Sequence, residues 1–478
     1  MRRTKFLTRT AYALALSLAT VAAAGLVAVP AEAQKKDDKK AAPKGPQPTK
    51  GFIPAYNETK TALDAAAKRP DVIAAKAKVS EKDRAVRAAS GRTAREAARA
   101  QHEAAIAELG ALLTAEKAKV ETALTKIGSD GDKFFGGQLT LDYGNLATDK
   151  VSQRRGIVAM IDSGHVPAEQ LGRFNYFAGT LAYEAKDFVA AETALKAAVA
   201  AGSNSKETLV MLAEAQNSGG RTTDALGTLK SLVDNAAAAG QVPDLEWLER
   251  GVVLSYQAKM LAESTDWAIR RVEFHPSQAS WVAAGQLMRA AYDYNGGDSL
   301  DVSRALDRAG ALNSSTQPVQ REYVEYLQAV VGKVGVLYPG EAVKVANQGV
   351  KVTALQATDP FVRDALAEAN RRVAADRASL PGLERDARAP AAQLRTVLIA
   401  ADTLLSYEQA DKAAELYQIA LGKPGADASA INLRLGIALT KLGKAPEAEA
   451  AFGKVTGPRQ SIARLWTLVA KGKVVPTT

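Results

Sequence analysis

Apolar positions fall into three regimes along the chain. Ala11 to Val29 is a nearly unbroken run of apolar and small residues, closed by Pro30, which cannot extend a helix. From Pro54 to Ile127, Ala, Lys, Glu and Arg dominate, with interruptions at Pro70 and Gly91, and the pattern predicts two or three helices. In the last of these, Ile106, Leu109, Leu113, Val120, Leu124 and Ile127 recur at helical spacing and form one apolar stripe. The stripe holds too few heptads for a sustained coiled coil, so these helices read as a cap on the repeats C-terminal to them. After the break at Gly128-Ser129-Asp130-Gly131, helical periods separated by short turns continue to the C-terminus, and no strand-like alternation persists.

Within the third regime a spacing rule repeats: a small residue, a second small one twelve on, a large apolar one four later, and an apolar or small one three further. Gly179, Ala191, Leu195 and Ala198 obey it, as do Ala213, Ala225, Leu229 and Leu232 one period of 34 residues later. Near the C-terminus, Ala401, Ala413, Tyr417 and Ala420 obey it, followed by Gly436, Ala448, Phe452 and Val455. Two antiparallel helices approach closely only where small residues face each other, so Gly179 and Ala191 mark an expected helix–helix contact. Lys186-Asp187-Phe188, Gly220-Arg221-Thr222 and Gly443-Lys444-Ala445 fall at matching places between the helices and predict tight turns.

On these residues the chain resembles the tetratricopeptide-repeat (TPR) family, most clearly over Gly172 to Ala237 and Leu394 to about Val455. The resemblance implies an all-α, TPR-like α-solenoid: a right-handed superhelix of antiparallel helix pairs, here with an N-terminal helical cap. The expected organisation is a signal peptide (1–33), a disordered basic linker (34–52), Ala-rich N-terminal helices (53–128), TPR-like repeats (129–237), degenerate helical repeats (238–390), and C-terminal repeats with a capping helix (391–478). Asp132 to Ser163 reads as a degenerate first pair. In the middle, Trp247 with Gly251 and Trp281 with Gly285 each place a large and a small residue four apart, and His275-Pro276 and Tyr338-Pro339 read as helix ends. Gln460 to Lys471, with Leu465, Trp466 and Val469 on one face, reads as the closing cap.

Composition adds a location. Arg2, Arg3, Lys5 and Arg9 precede the apolar run, and Ala31-Glu32-Ala33 comes after it, the order of an exported protein's signal cleaved after Ala33. A retained anchor is the rival reading of the same run. The chain has no cysteine, so neither a disulfide nor a thiol-linked lipid is available, and a soluble periplasmic protein is expected. Of the net charge of +10, about +3 lies in the signal and about +4 in residues 34–50, leaving about +3 for the other residues. That is too little for a phosphate-binding face, so no nucleic acid is expected. The lysine-rich linker would give weak contact with an anionic membrane surface.

Catalytic motifs are not completed. His102, His165 and His275 are far apart in sequence, and the His102-Glu103 start of a zinc-protease helix meets Ile106 where its second histidine belongs. Ser203 and Lys206 match S-x-x-K without its companion motifs, and Asp130 and Asp132 lack the glutamate of a calcium loop. No catalytic residue, metal or cofactor is expected. What the resemblance implies instead is a groove lined by the first helix of each pair: Arg173, Tyr176, Thr180, Tyr183 and Glu184, then Glu207, Val210, Glu214, Asn217 and Ser218. Family members that hold a partner's C-terminal carboxylate use groove lysines and asparagines, and here Tyr176, Thr180, Val210 and Glu214 occupy those places. The reading is therefore an envelope scaffold binding a protein or peptide segment, with no oligomeric state implied. The alternatives are a glycan-acting enzyme using Trp247, Trp281 and acidic residues in the middle, and a structural protein that self-associates through its N-terminal helices.

Overall fold

The computed structural model describes residues 45–313, 319–332 and 336–476. The signal segment and residues 34–44 of the linker therefore lie outside the described residues. Among the described residues the secondary structure is entirely helical, consecutive helices packing as pairs in a TPR-like solenoid. The chain divides into two compact units, one ending at Thr228 and the other beginning at Leu229.

The first unit opens with α1 (Ile53–Ala66), α2 (Pro70–Ala88), α3 (Arg92–Leu112) and α4 (Thr114–Leu124). The stripe from Ile106 to Ile127, expected on one helix, is divided: Ile106 and Leu109 lie on α3, Val120 and Leu124 on α4, Leu113 between them and Ile127 beyond the end of α4. At Leu113 the backbone leaves helical geometry (φ −109°, ψ 18°) while its side chain remains fully buried. The end of the linker is also held. Thr49 donates from its amide and hydroxyl to Asp132 at 2.6 and 2.8 Å, and Phe52 is fully buried. Phe52 is the first large side chain after the lysine-rich stretch, and burying it offsets the entropy of ordering the residues before it.

Two helix pairs come next, α5 (Asp130–Ala147) with α6 (Lys150–Asp162) and α7 (Ala168–Glu184) with α8 (Phe188–Ala200); α9 (Lys206–Ser218) packs on α8, and α10 (Thr222–Ala238) runs across the unit boundary. Ser129 caps α5, its hydroxyl accepting from the Asp132 amide at 3.1 Å. The contact between α5 and α6 is nearly backbone on backbone, since a Cβ at Gly137 would lie 2.8 Å from the Gly156 carbonyl oxygen. In the next pair a Cβ on Gly179 would lie 2.6 Å from Leu195 and 3.1 Å from the Ala191 carbonyl oxygen, the contact the spacing rule anticipates.

The turns between paired helices share one construction. Thr148, Lys186, Gly220, Lys259, Glu408 and Gly443 adopt φ between 55° and 80°, and the amide of the following residue bonds five residues back, as from Asp187 to Ala182 (2.9 Å), Arg221 to Gln216 (2.8 Å) and Gln409 to Leu404 (2.9 Å). This is the Schellman termination. It costs a non-glycine residue about 1 kcal/mol and is accepted because it satisfies helix-end carbonyls while reversing the chain.

The second unit contains α11 (Leu245–Gln257), α12 (Leu261–Phe274), α13 (Gln278–Ala291), α14 (Gly296–Arg308), α15 (Gln320–Val331), α16 (Pro339–Lys351), α17 (Pro360–Arg388), α18 (Leu394–Ser406), α19 (Ala410–Leu421), α20 (Ala428–Lys441), α21 (Ala445–Phe452) and α22 (Arg459–Ala470). The pair α11/α12 keeps the small-to-large contact, with Gly251 against the buried Trp267 ring. Register is then lost. Gly285 meets Leu306 rather than a residue sixteen on, and α17 runs for 29 residues with Pro381 inside it. Tyr338-Pro339, expected to end a helix, starts α16, with Pro339 in the first turn where its missing amide hydrogen costs nothing. The expected cap is α22, but it packs on α12, α14 and α20 as well as α21, so within this unit the array closes on itself.

Candidate protein-interaction face

The residues expected to line a groove lie on α7 and α9 in the first unit, where the bond between Tyr183 Oη and Ser218 Oγ (3.3 Å) joins the two rows into one face. Arg173 is half-buried, its guanidinium 5.7 Å from the Phe177 ring centre, and Tyr176 meets the same ring edge-on at 5.6 Å. Burial raises the Tyr176 hydroxyl above its ordinary pKa, and the charge of Glu207 on α9 adds to the rise. The Tyr183 ring packs against Phe188 at 5.5 Å. Glu207, Val210 and Glu214 are half-buried along α9.

Three of the expected residues are engaged elsewhere. Thr180 is buried and its hydroxyl donates to the Tyr176 carbonyl at 2.9 Å. Asn217 Oδ1 accepts from Thr222 at 3.3 Å, tying it to the turn into α10. Glu184 is exposed and pairs with Lys150 on α6 at 2.8 Å. Phe177 was not foreseen on this face, because it follows Tyr176 directly and falls off a strict three-four stripe. Its spacing of four from Arg173, the i,i+4 spacing at which helical side chains meet, was the available signal.

In the second unit the corresponding face is filled by the chain itself. Counting from the small residue of each repeat, the places of Thr180, Tyr183 and Glu184 hold Asp402, Leu405 and Ser406 on α18, and Ile437, Thr440 and Lys441 on α20. Helix α14 reaches this face through side chains, Asp301 pairing with Arg434 of α20, and its Asp298, Leu300, Asp301, Val302, Ser303, Arg304, Ala305 and Leu306 are all buried. Arg304 forks onto Glu341 of α16 at 2.9 and 2.6 Å and reaches Asp301 at 3.3 Å. Arg434 of α20 bridges Asp301 (3.5 Å) and Asp402 (3.2 Å), Tyr417 donates to Asp402 at 2.6 Å, and Tyr326 donates to Glu341 at 2.8 Å. From α22, Trp466 Nε1 donates to the Asp301 carbonyl at 2.9 Å and Arg459 pairs with Asp298 at 2.7 Å.

The electrostatics reflect burial and pairing. Burial pushes the Asp301 carboxyl up, although Arg434 and Arg304 oppose it. Burial would raise Glu341 too, but the bidentate Arg304 leaves it below the usual carboxylate range. Tyr338, beneath the Arg304 guanidinium at 5.5 Å, is pushed by burial up to about 12. Around α14 there remains a polar cleft of about 280 Å³, lined by Arg304, Asp307, Lys344, Glu408 and Lys441 among others.

Trp247 and Trp281, which would face a sugar in the enzyme alternative, are buried, and Trp281 Nε1 donates to the Lys473 carbonyl at 3.1 Å. His275 Nε2 lies 2.7 Å from the Pro243 carbonyl oxygen. Among the described residues no group of three or more His, Asp or Glu side chains is arranged to hold a metal ion, and no helix is long and apolar enough to cross a membrane.

No family model matches the chain, and no curated protein matches it. Among solved structures, the chain is similar to one titled "Structure of Naa15/Naa10 bound to HypK-THB", at 14% identity over 86% of this chain and 70% of that one, with a TM-score of 0.30. A likeness of this size carries no inference about function.

Proposed function

We propose that this protein is a non-catalytic scaffold of the bacterial envelope that binds a segment of another protein on the face built by α7 and α9. The observation that carries the reading is the contrast between the two units. In the second unit α14 reaches the face of the first helices through paired side chains, whereas in the first unit Arg173, Tyr176, Phe177, Tyr183, Glu207 and Val210 remain half-buried on theirs. Aromatic rings held by neighbours supply contact area at low entropy cost, and the flanking charges select among partners. The start of the sequence supports export, with its basic n-region, apolar run and Ala31-Glu32-Ala33.

The test is to place a photo-crosslinking residue at Tyr176 or Tyr183 in the intact protein and irradiate cells. One envelope protein captured from both positions, and not from Val189 on the outer side of α8, is the expected result. No capture from either position would overturn the reading.

A further inference from the structure

We infer that the far end of the α2/α3 hairpin is a docking surface for an anionic lipid bilayer, held there by the phosphates of the headgroups. This surface is separate from the α7/α9 face and does not rest on the scaffold reading. Two observations carry it.

The first is an arm built without a core. Helix α2 packs along α3, and the last buried side chains on the two are Val79 and Ala105; between them, none of residues 80–104 is buried. At the helical rise per residue the arm extends roughly 15 Å beyond Val79. Its order is local. Alanine favours the helix, and Arg87 pairs with Asp83 and Arg92 with Glu96, each one turn apart. Gly91 takes the positive φ (88°) that the turn requires, and Arg95 Nε donates to the Ala89 carbonyl at 3.0 Å, closing the end of the hairpin. Val86, half-buried, is the one large apolar residue on the arm. Protein partners bind through buried apolar and aromatic anchors, and this arm has none to match. What it offers is charge.

The second is where that charge lies. From Arg84 to Arg99 the arm carries Arg84, Arg87, Arg92, Arg95 and Arg99 against the single acid Glu96, while Glu81, Asp83 and Glu103 stand nearer its base. Arg84 and Arg99 are exposed and have no acid partner among the described residues. The Arg92 side chain is 91% exposed, and a pair with Glu96 so open to water is worth little and opens easily. Guanidinium forks match phosphate oxygens two at a time, so the complement of this end is a surface dense in phosphates. Single-stranded nucleic acid is held by stacking on aromatic rings, and residues 80–104 contain no Phe, Tyr or Trp. A bilayer is broad and deformable, needs no groove on its partner, and rewards each basic side chain that reaches it.

The test uses the full chain and vesicles of equal parts phosphatidylglycerol and phosphatidylcholine, with flotation as the readout. Vesicles of phosphatidylcholine alone register what the apolar run from Ala11 to Val29 contributes without charge. Three variants are compared: Arg84→Gln, Arg92→Gln, Arg99→Gln together; Lys at the same three positions; and Lys35→Gln, Lys36→Gln, Lys39→Gln in the linker. Each charge near an anionic surface is worth several-fold in affinity, so the glutamine variant of the arm should lose about tenfold or more on the anionic vesicles. The lysine variant should keep most of the binding, and added salt should weaken the wild type more than the glutamine variant. Arg99→Gln alone removes no pair and should still lose several-fold, which keeps the test decisive if circular dichroism shows that the triple variant has lost helix. Binding by the glutamine variant equal to that of the wild type would overturn the inference, and loss by the linker variant alone would assign the attraction to the linker. Tighter binding of the wild type to duplex DNA or to polyglutamate than to the vesicles, at the same salt, would overturn it in favour of a nucleic acid or an acidic protein. Crosslinking from Tyr176 and Tyr183 is read independently, so failure here leaves the scaffold reading in place.

Discussion

The faces of α7/α9 and α18/α20 have the same repeat register and opposite fates. On α18 and α20 the inward places hold Asp402, Leu405, Ser406, Ile437, Thr440 and Lys441, and α14 reaches this face through side chains, Asp301 pairing with Arg434. On α7 and α9 the same places hold Thr180, Tyr183, Glu184, Glu214, Asn217 and Ser218, and Thr180, Tyr183, Glu184, Asn217 and Ser218 are bonded within the same or neighbouring helices of the unit. A repeat pair therefore does not determine whether its face binds a partner. That depends on what the chain supplies to cover it, and here the cover is one polar helix from the irregular middle.

The contrast is broken most strongly at Arg304. Replacing Arg304 with Met leaves Glu341 buried without its bidentate partner and Asp301 short of one of its two arginines. Removing one member of a buried pair costs about 3–5 kcal/mol, so urea denaturation of Arg304→Met should show a loss of this size. The double variant Arg304→Met, Glu341→Leu should recover much of it. A loss below about 1 kcal/mol would place this network in the class of solvated surface pairs.

Next in size is the small residue of each repeat. A Cβ at Gly436 would enter the Phe452 ring, and at Gly179 it would press on Leu195. Overpacking of this kind costs about 1–3 kcal/mol. Gly436→Ala should be the worse of the two, because an aromatic ring cannot fold away as the end of a leucine can. Equal melting temperatures for the wild type and both variants would show that the pairs have slack.

The repeat rule exposed these contacts in the sequence because small residues at fixed intervals have a steric cause that survives divergence. At α5/α6 the spacing from Gly144 through Gly156 and Met160 to Ser163 also fits, and Gly156 additionally meets the Gly137 carbonyl oxygen. The rule is silent at α14. A stripe of Asp298, Asp301 and Arg304 reads as a solvated helix face, and only the arginines and glutamate of three distant helices turn it into a buried one. On α7, Phe177 was hidden by its adjacency to Tyr176, and the internal engagement of Thr180 and Asn217 depends on neighbours that periodicity does not describe. The order at Thr49 was likewise outside what composition conveys, since a proline- and lysine-rich stretch gives no sign of the carboxylate that receives it.

That carboxylate provides a pH test confined to the first unit. Burial alone would raise Asp132, but the amides of Thr49 and Gly128 and the hydroxyls of Thr49 and Ser129 hold it below the usual range. An acid whose folded pKa is depressed stabilises the fold above its unfolded value near 3.9 and loses that contribution as pH falls through the folded value. Hydrogen bonds to a charged group are worth about 1.5–3 kcal/mol. Asp132→Asn should therefore lower stability at neutral pH and flatten the decline below pH 4. An acid limb of unchanged slope would mean that Thr49 does not hold the carboxylate in solution.

The smallest effect is the one that separates the two faces most sharply. Glu184 and Lys441 occupy the same place in their repeats. Glu184 is exposed and pairs with Lys150 at 2.8 Å, whereas the Lys441 side chain is only 15% exposed, bonds Glu408 at 2.7 Å and lines the cleft beside Arg304. An exposed pair contributes about 0–1 kcal/mol, and Glu184→Ala should fall at the bottom of that range. Lys441→Ala removes both the pair and the packing of its buried stem, so it should cost visibly more. Because burial lowers the Lys441 pKa, part of its value is offset by desolvation, and the difference between the two variants should stay near 1 kcal/mol rather than approach that of Arg304. If Glu184→Ala proves as costly as Lys441→Ala, the α7 face is as firmly covered as the α20 face, and the distinction between an open repeat and a filled one disappears.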